Sequence, residues 1–352
     1  MRIATLTITL LLVAGPAFPC STFCLARDGE VLFGRNYDFE IGQGYVMTNG
    51  RGLQKTSMAG TLSWVSRYGS VTFNQWGREF PMDGMNEAGL VIALMWLEGS
   101  EYPRDQRPAL RVLEWIQYQL DNYASVDELL AHAEETRISG GTPLHYLVAD
   151  ATGDAATIEY LGGRLVVHTG SDLASANLTN DRYDSSLDYL GRFSGFGGTR
   201  GIPSGSSSLD RFARTAMLMR SAEGSVDDAM EILGLVAQPG ATRWSVVYDT
   251  RRREIFWVSD RNRSRKSIRF SELNLGCNGA AKMLDVHSGL SGDVTARLDD
   301  YSAFENRQLV VSSYATTSFT RDDDPQWAEA DAAHAEAPQC LPARPRRRAT
   351  RP

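Results

Sequence analysis

Strand-like and helix-like stretches fall in blocks along this chain, and that distribution constrains its fold more than any other feature. Residues 21–26 and 30–33 are short β-type runs around the three-residue turn Arg27-Asp28-Gly29, which predicts a hairpin. Residues 61–68 and 70–75, split by Gly69, read as a second hairpin. Met85-Asn86-Glu87-Ala88-Gly89 reads as a turn before a buried strand over 90–95, an unbroken apolar run. Two helices follow. One spans 111–122, with Val112, Trp115, Ile116 and Leu120 at helical spacing; Ser125 caps the next, with Glu128 three residues on. Strands return at 143–150, 155–161 and 164–169. A short helical stretch at 187–190 and a Gly/Ser-rich loop over 195–208 lead to helices at 208–222 and 227–235. A late hairpin joins 242–249 to 254–260. Three strand groups enclosing two helix groups exclude a regular βαβ alternation and predict stacked sheets with helices outside.

The chain has 352 residues, 42% of them hydrophobic, enough for one large domain, drawn over residues 20–321, or two ordinary ones. A net charge of −7 gives no reason to expect nucleic acid. Beyond the N-terminus no apolar run reaches the ~18–20 residues a membrane span needs. Residues 1–19 read as a signal peptide: Arg2 in the n-region, an apolar stretch from Ile8 to Val13, and small residues at 14–17. Gly15 and Ala17 suit the positions before a cut, so cleavage after Ala17 followed by removal of Phe18-Pro19 stands beside a direct cut before Cys20. Export implies a periplasmic or secreted protein and an oxidising compartment, where Cys277 and Cys340 could pair. From about Asp322 the chain turns acid- and Ala-rich and then Arg-rich, and residues 322–352 read as a solvated tail.

Elimination narrows the chemistry. Five histidines form no HxH or HExxH, and no CxxC exists, which disfavours a metal enzyme. No phosphate-cradling Gly motif opens a helix, and Gly205-Ser206-Ser207-Ser208 supplies no nucleophile elbow. Cys20 remains. Released at a new N-terminus, it would carry a thiol and a free α-amine on one residue, with unperturbed pKa values of about 8.5 and 7.7–8.0. Cys24 is better read as a buried strand residue. The first hairpin returns Arg35 and Asp38 towards Cys20. Trp64, Trp76, Trp96, Phe73 and Tyr68 are candidates for an apolar acyl pocket, or for the core.

Cys20-Ser21-Thr22 followed by Gly34-Arg35-Asn36-Tyr37-Asp38 resembles the opening of the choloylglycine hydrolase and penicillin V acylase family. The resemblance continues at Asp83-Gly84-Met85-Asn86-Glu87-Ala88-Gly89-Leu90, at Leu178-Thr179-Asn180-Asp181, and at Gly201-Ile202-Pro203 leading to Ser208-Leu209-Asp210-Arg211-Phe212. It ends at Thr242-Arg243-Trp244-Ser245, and all five motifs stand in the family's order. It implies a four-layer αββα sandwich and hydrolysis of linear amide C–N bonds without a cofactor. The roles it implies are nucleophile for Cys20, a cation beside the thiol for Arg35, and orientation of the α-amine for Asp38. Asn180, with Asn177 as its rival, would be the oxyanion donor, Arg211 the second arginine, and the Trp96 backbone N–H the other oxyanion donor.

Departures from the family pattern are a Cys20-to-Arg35 separation one residue short and Trp where relatives have Asn or Tyr. A shortened segment between Asn180 and Arg211 leaves a family-like tetramer unsupported. The implied substrates are acyl amides of the penicillin V, bile-salt or N-acyl homoserine lactone class. An acyltransferase of the same fold and a lipoprotein acylated at Cys20 stay open as alternatives.

Overall fold

The structure is a computed structural model that describes residues 20–340. The first hairpin closes tightly. Asp28 and Gly29 both take positive φ, 52° and 87°, the two-residue turn whose twist matches that of paired strands. Strands Ser21–Arg27 and Glu30–Asp38 therefore pair directly from Arg27 opposite Glu30 to Ser21 opposite Asn36. The loop is one residue tighter than expected, and the second strand runs on through Asp38.

This hairpin lies in a seven-stranded sheet, between strand Asn177–Leu178 on one side and the late hairpin Thr242–Asp249 and Glu254–Ser259 on the other. A nine-stranded sheet stacks on it, with Leu144–Ala149, Val91–Trp96, Asp83–Asn86 and Ser70–Asn74 as its central strands. Phe73 of the second sheet meets Tyr248 and Trp257 of the first edge-on, at 6.2 and 5.9 Å between ring centroids. Helices Ser208–Ser221 and Val226–Val236 cover the outer face of the first sheet, and helix Val112–Asn122 covers the second. The four layers are those expected.

Alternation along Glu30–Asp38 decides which groups face which layer. Arg35 and Tyr37 point between the sheets, whereas Asn36 points outward and donates to Leu233 O at 2.8 Å. Phe23, Leu25, Leu32 and Val247 pack outward on Ala229, Ile232 and Leu233, each large side chain contributing about 1.5–3 kcal/mol by burial. Phe23 lies so flat on Gly34 that a Cβ there would stand 2.3 Å from its ring, so only glycine fits.

Two expectations are corrected. Residues 61–68 and 70–75 form no hairpin. Ser63–Val65 pairs with Leu53–Thr56 in a small separate sheet, while Ser70–Asn74 joins the nine-stranded one. The N–H groups of Arg67 and Tyr68 donate to Asp121 O at 2.7 and 3.1 Å, which turns the chain across the helix end instead of back on itself.

Nor does a solvated tail begin at Asp322. Helix Ala303–Thr316 packs on helix Pro325–His334, which Asp324 caps and Pro325 opens. Gln339–Cys340 then pairs with Leu53 and Gln54, and Cys340 is bonded to Cys277. The helix was hidden because its buried face is Ala328, Asp331 and Ala332, with no large apolar residue. Residues 1–19 and 341–352, which hold the expected signal and the Arg-rich end, lie outside the described residues. Among the described residues no helix is long and apolar enough to cross a membrane.

Candidate active site

Strand register assembles the site. Thr22 stands opposite Leu178 and Phe23 opposite Asn177; continuing that pairing brings Asn180 across from Cys20. On the other side Thr22 faces Arg35. The hairpin thus carries Arg35 and Asp38 to Cys20, and helix Ser208–Ser221 lowers Arg211 onto it from the outer layer.

The Cys20 thiol is buried, 3.6 Å from Asp38 O and 3.9 Å from Arg35 Nη2. Burial pushes the thiol up from its ordinary value, and the pull of Arg35 does not reverse that. Loss of water around the thiol outweighs that pull, and the charge of Asp38 adds to that loss. Arg35 has other partners as well. Its Nε sits 2.6 Å from Asp83 Oδ2, with both side chains fully buried, and its Nη1 donates to Leu94 O. Tyr248 donates to the other Asp83 oxygen. The Arg35 guanidinium keeps its full charge in this pair, and it lowers the thiol's pKa by less than burial raises it. Cys24, by contrast, is buried on its strand with its thiol pushed up to about 12, the inert residue expected.

Arg211 organises the far side. Its Nη1 donates to Cys20 O and to Ser21 Oγ, both at 2.6 Å, and its Nη2 to Asn180 Oδ1 at 2.9 Å. Arginine only donates, so the Asn180 oxygen must face it and the amide nitrogen must face away. That nitrogen donates to Trp96 O at 3.0 Å, so the two residues expected to make one subsite touch. The rival Asn177 is committed elsewhere: it donates to Phe212 O and accepts from Ser175 Oγ.

Asp38 is fully buried, beside the irregularity where Thr242 and Trp244 shift register against its strand. Neither carboxylate oxygen has a well-formed hydrogen bond among the described residues, although the Thr242 hydroxyl approaches closely enough to favour the ionised form. Burial raises its pKa to about 7, against the opposing pull of Thr242, Arg211 and Arg35.

Next to Cys20 opens a cavity of about 680 Å³. Trp76 and Trp96 line it, with Phe39, Met82 and Leu94. Three other aromatic candidates do not. Phe73 fills the space between the sheets, Trp64 packs edge-on against Tyr118 and donates to Asp121 at 2.8 Å, and Tyr68 lies under the Arg67 guanidinium. Sequence reasoning missed Asp83 as Arg35's partner, although it stands in a quoted motif. It also missed Tyr37, stacked on Trp244 with 4.2 Å between centroids.

Two stacked antiparallel sheets under outer helices, with the site at the head of a central strand, define an N-terminal-nucleophile hydrolase fold. The penicillin V acylase of Agrobacterium tumefaciens superposes with a TM-score of 0.71 at 28% identity, over 80% of this chain and 98% of that one. A variant of the conjugated bile acid hydrolase of Clostridium perfringens matches in fold, with a TM-score of 0.66 at 18% identity over 78% and 98%. The profile of the linear amide C–N hydrolases, choloylglycine hydrolase family, matches residues 20–281, and the chain belongs to that family. It is also 32% identical over 190 residues to the penicillin V acylase of Pectobacterium atrosepticum, 48% of this chain and about half that relative's length, 50%.

Proposed function

We propose that this chain is an exported amidase whose nucleophile is Cys20, freed at its amino group by removal of residues 1–19. The observation that carries this reading is Asp38. A fully buried carboxylate without a well-formed hydrogen bond costs several kcal/mol unless a cation or donor reaches it. The α-amine of a terminal Cys20 supplies both. Asp38 favours the ammonium while Arg211 and Arg35 disfavour it by like-charge repulsion, and the fraction left as free amine serves as the base.

The steps follow from these groups. The amine takes the thiol proton as Cys20 Sγ bonds to the amide carbon. A thiol held up by burial makes this transfer concurrent with attack, with no resting thiolate. Asn180 Nδ2 and the Trp96 N–H donate to the oxyanion, each such donor being worth ~2.7–4 kcal/mol of barrier. The C–N bond breaks, the ammonium returns the proton to the leaving amine, and an acyl-thioester remains. Water then attacks it, giving up a proton to the α-amine; the C–S bond breaks, the carboxylic acid leaves, and the ammonium returns the proton to the Cys20 thiolate. The apolar cavity beside Cys20 supports an acyl group with a hydrophobic body, as in penicillin V, conjugated bile salts or N-acyl homoserine lactones. The Cys277 and Cys340 disulfide supports an oxidising, extracytoplasmic location. A diacylglyceryl group on Cys20 would have to thread out from a buried strand end, which disfavours the lipoprotein alternative.

A panel of penicillin V, glycocholate, taurocholate and acyl-homoserine lactones tests the reading, with intact mass of the rapidly quenched enzyme. Amide cleavage with an acyl adduct on a protein beginning at Cys20 is expected. Cleavage by a protein with a blocked Cys20 amine would refute it.

A further inference from the structure

The cavity wall is not all drawn from the part of the chain that matches the family. That match ends at residue 281, yet Tyr314, Phe319 and Trp327 line the same cavity as Cys20. They come from the two C-terminal helices and the turn between them. The Phe319 centroid stands 6.3 Å from Phe39, 6.1 Å from Trp76 and 5.9 Å from Trp96, so one ring from this segment meets three from the family body.

The segment is held in place independently of those rings. Ser318 N donates to Glu40 Oε1 at 2.6 Å, and Ser313 Oγ to Gln75 O at 2.8 Å. Tyr314 donates to Asp331 Oδ2 at 2.7 Å while Arg111 pairs with the other oxygen. The Cys340 disulfide ties the far end. On this fixed frame Phe319 and Trp327 keep 40% and 59% of their surface exposed. Large, partly exposed aromatic side chains that line the same cavity as Cys20 are suited to covering an apolar ligand.

We propose that Phe319 and Trp327 are specificity-determining residues, which select substrates by gripping the distal apolar part of a bulky acyl group. This rests on the amidase reading above. The groups around Cys20 handle the carbonyl alike for any acyl chain. On this assignment a small acyl group is seated without Phe319 and Trp327, whereas a phenoxyacetyl or medium-length alkanoyl group extends along the shared cavity to them. The discrimination therefore belongs to ground-state and transition-state binding equally, and it appears in KM.

The test compares wild type with Phe319→Ala and Trp327→Ala on acetyl, phenoxyacetyl and decanoyl amides of one chromogenic amine. Both residues are partly exposed, so the variants should fold. The expected result is a rise of about tenfold in KM for the two large amides, the scale of one lost apolar contact. Unchanged kcat and unchanged acetyl-amide kinetics should accompany it. A uniform loss across all three amides, or no change in any, overturns the assignment. Calorimetric titration with decanoate and phenoxyacetate supplies a readout without turnover. If wild type cleaves no amide but binds decanoate about tenfold more tightly than the variants do, the cavity assignment stands and the amidase reading falls. Equal binding by all three proteins overturns the assignment.

Discussion

Keeping one residue permanently attached ahead of Cys20 removes the charge that Asp38 is placed to receive. In the chain as encoded, Cys20 is joined to Pro19 and its nitrogen is an uncharged peptide nitrogen. Asp38 then has a folded pKa of about 7, against an ordinary aspartate value of about 3.9. The sign follows from which state holds the proton. Between those two values the folded chain keeps Asp38 protonated while the unfolded chain releases the proton, so stability falls as pH rises through about 4 to 7. Three units at about 1.36 kcal/mol each make the loss about 4 kcal/mol. In a chain beginning at Cys20 the α-ammonium pairs with Asp38, its folded pKa returns to the ordinary range or below, and that loss disappears. Glu114, also pushed up to about 7 by burial, is present in both forms and cancels in their difference. Urea unfolding followed by tryptophan fluorescence should be run on the two forms at intervals from pH 4.5 to 7.5. The blocked form should lose about 3 kcal/mol relative to the processed form across that window, the first ~1 kcal/mol of the full loss falling below pH 4.5. Parallel stability curves would show that the amine and Asp38 do not interact, and the assignment of the base would fail with them.

Three further outcomes are expected. Cys20→Ser should keep the wild-type circular dichroism spectrum and lose nearly all amide cleavage, since the alcohol is far harder to ionise; wild-type turnover would remove the thiol from the mechanism. Asn180→Ala should lower kcat by about 10²–10³ with a much smaller effect on KM, as the loss of an oxyanion donor does; a change confined to KM would make Asn180 a binding residue only. Asp83→Ala should destabilise the protein by about 3–5 kcal/mol, because it strands the buried Arg35 guanidinium, and unfolding at the wild-type urea midpoint would show this pair to be dispensable.

Much of the fold was legible because its elements carry local signals. The strands at Ala155–Leu161, Arg164–Thr169 and Thr242–Asp249 are bounded by glycines or charged turns, and Ser125 and Ser207 cap their helices as short hydroxyl residues should. Motif order singled out the candidate residues; strand register brings Cys20, Arg35, Asp38 and Asn180 together, and helix Ser208–Ser221 adds Arg211. What stayed hidden was tertiary. No local pattern says that Ser63–Val65 and Ser70–Asn74 enter different sheets, a choice made by Asp121 O, which lies far along the chain. The helix Pro325–His334 buries alanines and one paired aspartate, a face that composition reads as solvated. Asp83 was not legible as the partner of Arg35 because it sits on the opposite sheet.

That ion pair across the sheets sets when the surroundings of Cys20 are completed during folding. Arg35 belongs to one sheet and Asp83 to the other, and strand Glu30–Asp38 finds its second neighbour only 209 positions later, as where Asn36 meets Ser245. Contacts so distant in the chain form late in folding. The amino-terminal hairpin, though translated first, must wait for the strand around Trp244 before its polar groups acquire their surroundings. Until then the Cys20 thiol lacks both the burial and the neighbouring charges that it has in the folded chain.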